Sequence, residues 1–191
     1  AEHVPIRTGF GIDHKPVDYD LAFGTAIFVR SELNPAFSSE LILKRKSSHH
    51  SYHNDKYLQL ATIPGTPALL TVATVHGLWI PDLGKVDTDE RIAQSEGILK
   101  RLEQEPGEHI LCGDLNLNPD THSLRMLEER YRNLISEYGI ETTRSRYYTK
   151  SEKFADYTLV SSGITVNSFD VPYVEASDHL PMILDFDLAS A

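Results

Sequence analysis

The chain has 191 residues, enough for one domain with a sizeable core and too few for two of ordinary size. Its 40% hydrophobic and 24% charged residues are ordinary globular usage, which excludes collagen-like, low-complexity and wholly disordered chains. With 18 Lys and Arg against 28 Asp and Glu, the net charge of −10 disfavours coating nucleic acid over the whole surface but allows a local basic patch.

The chain opens Ala1-Glu2-His3, with neither an initiator Met nor a basic, apolar signal segment, so the expectation is a processed or shortened start. Residues 22–30 (AFGTAIFVR) are β-branched and aromatic and predict a strand. Residues 44–53 (KRKSSHHSYH) are a polar, basic interruption; His49, His50 and His53 could chelate a metal, although a solvated loop explains them better. Residues 57–63 (YLQLATI) and 69–76 (LLTVATVH) predict two strands, joined as a hairpin across Pro64-Gly65-Thr66-Pro67. A helix follows, with Asp87 and Glu90 as its expected cap and Ile92, Ser95, Leu99 and Leu102 on one face, stopped by Pro106-Gly107.

Residues 109–112 (HILC) predict a short buried strand ending in Gly113-Asp114, and Leu124, Leu127 and Tyr131 mark a second helix starting near Thr121 or Ser123. Residues 157–161, 165–171 and 182–188 supply three more strands. Strands outnumber helices and often follow one another directly, which favours a layered α+β sandwich over a doubly wound parallel sheet. The single cysteine, Cys112, rules out an intramolecular disulfide and a cysteine-based zinc site, and points to a reducing, cytoplasmic setting. The most apolar stretch, residues 67–80, is too short to span a membrane, so a soluble protein is expected.

Polar residues gather where strands end. Asp114 and Asn116, straight after HILC, could bind a hard cation and a phosphoryl oxygen together; an Asx turn before Asn118-Pro119 is the plain alternative. Asp178-His179 stands before the last strand, where an acid can fix charge or metal while an imidazole moves a proton near neutral pH, though Ser-Asp before Pro is also turn chemistry. Asp156, heading TLVSS, could hold a histidine in its useful tautomer. His76 ends LLTVATVH and could donate to a phosphoryl oxygen, or be a structural histidine. Arg144, Arg146, Lys150 and Lys153, interleaved with Tyr147 and Tyr148, could contact phosphate and stack on a ring, or form an exposed loop.

Taken in order, His76 after a strand, Arg91-Ile92-Ala93-Gln94 in the next helix, ILCGDLN, ADYTLVSS and SDHLP closely resemble the endonuclease/exonuclease/phosphatase superfamily over nearly the whole chain. The resemblance implies an α/β (α+β) four-layer sandwich, with two packed mixed β-sheets flanked by helices, as one domain over residues 1–191. It implies His179 as general base, Asp156 as its orienting carboxylate, Asp114 and Asn116 as the pair that positions nucleophile and phosphate, and His76 as a phosphate contact. Asp178 matches a metal-site or supporting carboxylate. The family's first strands, one ending in Asn and one carrying a metal-binding Glu, have no visible counterpart, so a shortened N-terminus is expected, with Glu2 standing in as ligand. The implied activity is Mg²⁺- or Mn²⁺-dependent hydrolysis of phosphoesters, most readily phosphodiesters, with nucleic acid (DNA or RNA), phosphoinositides and phospholipids all open as substrates; Arg144 and Arg146 are candidate substrate contacts on their own chemistry. The alternative is a non-catalytic phosphate- or nucleic-acid-binding module on the same fold.

Overall fold

The computed structural model describes residues 24–44, 55–65, 68–80 and 82–188, with the backbone of 9–10 and 16–17. In chain order the elements are β1 (Gly9–Phe10), β2 (Pro16–Val17), a 3₁₀ turn (Ser31–Leu33), β3 (Ala36–Leu43), β4 (Lys56–Ile63) and β5 (Leu70–Thr74). Then come α1 (Asp89–Leu102), β6 (Glu108–Asp114), α2 (His122–Glu128), β7 (Arg132–Asn133), α3 (Leu134–Glu137), β8 (Asp156–Val160), β9 (Ile164–Asp170) and β10 (Ile183–Leu188). Glu2, His49, His50 and His53 lie outside the described residues.

Six strands form one mixed sheet in the order β3-β4-β5-β6-β8-β7, in which only β5 and β6 run parallel. The predicted hairpin is present as the antiparallel β4–β5 pair. A parallel pair needs a crossover, and α1 supplies it. Two further antiparallel pairs are described, β1–β2 and β9–β10. Every residue of β8 is buried, which requires cover on both faces of the sheet. Thr158 turns toward Met182 at the entry to β10, and its neighbour Tyr157 turns the other way, its hydroxyl donating to the Leu117 carbonyl at 2.8 Å. The architecture is therefore the expected α/β sandwich. No helix among the described residues is long and apolar enough to cross a membrane.

The core runs continuously from Leu58 and Leu60 through Leu111 and Leu159 to Phe169. Helix α1 lies tight on β3: a Cβ at Gly97 would come 2.6 Å from the Ile42 carbonyl oxygen. Its buried side chains are Arg91, Gln94, Ser95, Ile98 and Leu102, so the inward face is turned from the predicted one and Ile92 and Leu99 sit at its half-buried margin. The reason is a polar load: Arg91 and Gln94 are needed inside to hold the loop that follows β5. The cap also differs from expectation. Thr88 accepts from the Arg91 amide, while Asp87 reaches α2, accepting from the His122 and Ser123 amides at 2.7 and 2.9 Å and from the Ser123 hydroxyl at 2.6 Å. Asp87 is adjacent to one helix in sequence and to the start of another in space.

Residues 24–30 carry no regular secondary structure and have no ladder partner among the described residues, and Phe28 is 94% exposed, so the strand predicted over 22–30 is not formed over 24–30. Strand propensity needs a neighbouring edge to act on, and β3, whose own sequence is mostly exposed, takes the edge of β4 instead.

Candidate active site

The sheet topology gathers the site. Strands β5 and β6 are parallel, so both deliver their C-terminal ends to one edge; β8 runs against β6 and brings its N-terminal end there, with Asp114 and Asp156 as direct cross-strand partners. His76 follows β5 at the same edge, where Gly77 continues the pairing by donating to the Asp114 carbonyl at 2.6 Å. Gly113 permits this crossing: its φ is 141° and a Cβ would lie 2.5 Å from the Val75 carbonyl oxygen.

His179 arrives from the other side. The strip around Arg144 pairs antiparallel with it, through Leu180 to Thr143 at 2.9 Å and Ser145 to Asp178 at 3.1 Å. The imidazole Nδ1 donates to both Asp156 oxygens, at 2.8 and 2.9 Å, which fixes the tautomer and leaves Nε2 as the lone-pair nitrogen. Asp156 is itself held by Thr143, a buried residue that sequence reasoning missed. Its hydroxyl donates to Asp156 Oδ2 at 3.0 Å and accepts from the Ala155 and Asp156 amides at 3.3 and 3.4 Å. Nothing in a Thr-Thr-Arg run marks that role; only the pairing with residues 153–156 creates it.

Asp114 faces the ring. Its Oδ2 has His76 Nε2 at 3.9 Å, His179 Nε2 at 3.8 Å and Arg144 Nη2 at 3.9 Å, distances that leave room for one interposed atom. Asn116, 3% exposed and left-handed at φ 53°, is locked by donating its amide to Asp114 Oδ1 at 2.9 Å and its side chain to the Gly77 carbonyl at 3.4 Å. It ties the ends of β5 and β6 together.

Arg144 carries the positive charge of the cleft. Its guanidinium is nearly buried, donates to Asp178 Oδ2 at 3.2 Å and to His179 Nε2 at 2.5 Å, and lies 4.3 Å from the Tyr148 ring centre. Its Nε is buried without a partner among the described residues. Asp178 is half exposed and pairs with this arginine. Arg146 is not brought into the cluster: its guanidinium is exposed and bound to Glu175 at 2.7 Å.

The electrostatics follow from burial and crowding. Burial pulls the His179 pKa down, but the Asp156 hydrogen bond and charge, with Asp114, outweigh it and leave it raised. Burial and the Asp156 carboxylate push Asp114 up, against the cations around it. Partial desolvation, with the Lys56 and His179 charges, lowers His76 despite Asp114, which favours the neutral, hydrogen-bonding ring near pH 7.

Donor atoms of Asp114, Asp156 and His179 lie within 4.8 Å of one another. Carboxylate oxygens suit a hard divalent cation, and the raised Asp114 pKa marks a carboxylate with too little positive charge around it. Asp114 is the better ligand, because both Asp156 oxygens already serve His179 and Thr143. The residues present thus fit such an ion.

The helix motif of residues 91–94 supports the loop after His76. Arg91 donates to the carbonyls of Val86 at 2.5 Å, Gly84 at 2.7 Å and Leu78 at 3.3 Å, and Gln94 accepts from the Leu78 amide at 2.7 Å.

An α/β sandwich with His76, Asp114 and Asp156 at three strand ends of one sheet, faced by His179 from the segment before β10, defines the class. Residues 4–179 match the model of the Endonuclease/Exonuclease/phosphatase family, and the chain belongs to that family. Its members are chiefly enzymes that hydrolyse phosphoesters. Similar solved structures include an endonuclease/exonuclease/phosphatase from Bacteroides vulgatus (12% identity, TM-score 0.59, covering 80% of this chain and 65% of that one). The human Nocturnin catalytic domain with bound sulfate is another (16%, 0.59, 81% and 59%), as is a mannosyl-6-phosphatase from Bacteroides thetaiotaomicron (12%, 0.59, 80% and 66%). The chain spans a little under two thirds of the length of these three proteins. No curated protein matches it.

Proposed function

We propose that this protein is a Mg²⁺- or Mn²⁺-dependent hydrolase of phosphoesters, most readily phosphodiesters, acting by direct attack of water. The observation that carries the reading is the Asp156–His179 pair, at 2.8 Å, facing Asp114 across a gap one atom wide.

Asp156 holds His179 with Nδ1 protonated, so Nε2 is the atom that takes the proton of the attacking water. In this structure Arg144 Nη1 donates to Nε2; a bound phosphate competes for that guanidinium and frees the nitrogen. Arg144 then neutralises charge on the phosphoryl group and His76 donates to it, while Asp178 keeps the guanidinium in the cleft. Asn116 fixes the loop that aims Asp114. A bound divalent cation, held by Asp114 with Asp178 and Glu2 as further candidate ligands, would act as a Lewis acid on the phosphoryl oxygen.

The test is hydrolysis of bis(p-nitrophenyl) phosphate by the chain with Mg²⁺ or Mn²⁺, with EDTA, and with His179→Ala. Turnover that requires metal and falls at least about 100-fold in the variant supports the reading. A folded chain that binds phosphate without turnover supports the competing one, a non-catalytic phosphate-binding module, which the Arg144 contact on Nε2 favours.

A further inference from the structure

Beside the cluster, the loop after β5 and the segment before β8 enclose a cavity of about 260 Å³. Trp79, Asp82, Lys85, Tyr148, Lys150 and Glu152 line it. Tyr148 is shared with the cluster, since Arg144 lies 4.3 Å and Lys85 5.1 Å from its ring centre. Lys85, almost fully buried, is pinned to the Phe154 carbonyl at 2.5 Å, so this wall is fixed. Trp79 is 37% exposed, with Lys150 Nζ 5.5 Å from its ring centre.

These groups select for a ligand by type. An exposed indole accepts a flat ring, and because Lys150 Nζ is 5.5 Å from the indole centre, a ring stacks there once that flexible side chain swings outward, where its ammonium meets the ring's other face. Asp82 and Glu152 accept hydrogen bonds, which suits a ring bearing N–H donors. Lysine and arginine suit an attached phosphate. A nucleobase on a phosphorylated sugar combines all three. A bare sugar phosphate uses the acids and bases but presents no planar π face to Trp79.

Resting on the hydrolase reading, we propose that this cavity is a nucleoside subsite. It takes the base of a nucleotide whose phosphoester passes Tyr148 to reach Arg144, Asp114 and His179. The substrate class is then a nucleotide or a nucleic-acid end, held by one base rather than by a long basic track, in keeping with the net charge of −10.

Trp79 is the only tryptophan of the chain, so its emission reports on this cavity. Titration with AMP is expected to quench it saturably, with affinity about 5- to 150-fold above that of ribose 5-phosphate, the span of one stacked base. Lys150→Ala is expected to weaken AMP binding. Equal affinity for AMP and ribose 5-phosphate, tighter binding of glucose 6-phosphate, or no saturable response overturns the proposal.

Turnover gives a second readout. With Mg²⁺, kcat/KM for thymidine 5′-(p-nitrophenyl phosphate) should exceed that for methyl p-nitrophenyl phosphate. Trp79→Ala, on a part-exposed residue, should lower the first by about 5- to 150-fold and leave the second unchanged; equal loss on both refutes the subsite. If neither substrate turns over, the hydrolase reading fails, and the fluorescence titration still decides the subsite by itself.

Discussion

Replacing Thr143 by Val keeps the volume of a fully buried side chain and removes one oxygen. That oxygen donates to the Asp156 carboxylate at 3.0 Å and is the acceptor for two amides at 3.3 and 3.4 Å. A hydrogen bond to a charged group contributes about 1.5–3 kcal/mol, and a buried amide left without an acceptor costs about 1–3 kcal/mol. Because the two amides share one oxygen at long range, the lower end applies, and we expect Thr143→Val to lose about 3 kcal/mol. Thr143→Ser keeps the oxygen and should lose about 1 kcal/mol, for the missing methyl. Urea denaturation measures both, with an unchanged m-value required for the comparison. The second consequence is catalytic: Asp156 loses one of its restraints, so kcat should fall while KM for a diester holds. A valine variant within about 0.5 kcal/mol of wild type, with full kcat, would refute the assignment of Thr143 as the residue that positions Asp156.

Asp156→Asn should lower kcat by about 10²- to 10⁴-fold, because the amide no longer dictates the protonated Nδ1. Activity that uses neutral His179 should rise with pH through a value above the ordinary histidine one, and Asp156→Asn should move that limb to lower pH, read from pH–rate profiles. The sign for stability is opposite: the raised His179 value contributes stability below its unfolded pKa, lost as pH rises through the folded one. For Asp87, burial is outweighed by hydrogen bonds from the Ser123 side chain and the Ser123 and His122 amides, leaving its pKa lowered. Asp87→Ala should cost about 1–2 kcal/mol near neutral pH, and the difference from wild type should vanish as pH falls through that lowered value. Chelation with EDTA should abolish turnover and Mg²⁺ or Mn²⁺ restore it; metal-independent turnover would contradict the role given to Asp114.

Much of the fold was legible because its cues are local. Alternation in YLQLATI, the Pro-Gly turn after it and the cap before Leu124 are short-range chemistry, and β4, β5 and α2 form where they predict. Failures came where a partner decides the outcome. Residues 24–30 have strand composition and no ladder partner among the described residues, whereas exposed β3 pairs because β4 offers it an edge. Asp87 looks like the cap of the helix it precedes, and serves α2 because its carboxylate is held against Ser123.

The site divides along the same line. Sequence alone picked out His76, Asp114, Asn116, Asp156, Asp178 and His179, since polar strand-end residues in that order already resemble a family pattern, and it named Arg144 only together with Arg146 as a candidate substrate contact. Only the tertiary structure decided which atoms meet: the parallel β5–β6 pair and the reversed β8 bring three strand ends to one edge. It also put Arg144 against His179 and left Arg146 with Glu175, two arginines one residue apart that sequence could not tell apart. Local sequence sets propensity and chemical type; which groups share a cleft depends on contacts between residues tens of positions apart, and these exist only once the sheet is built.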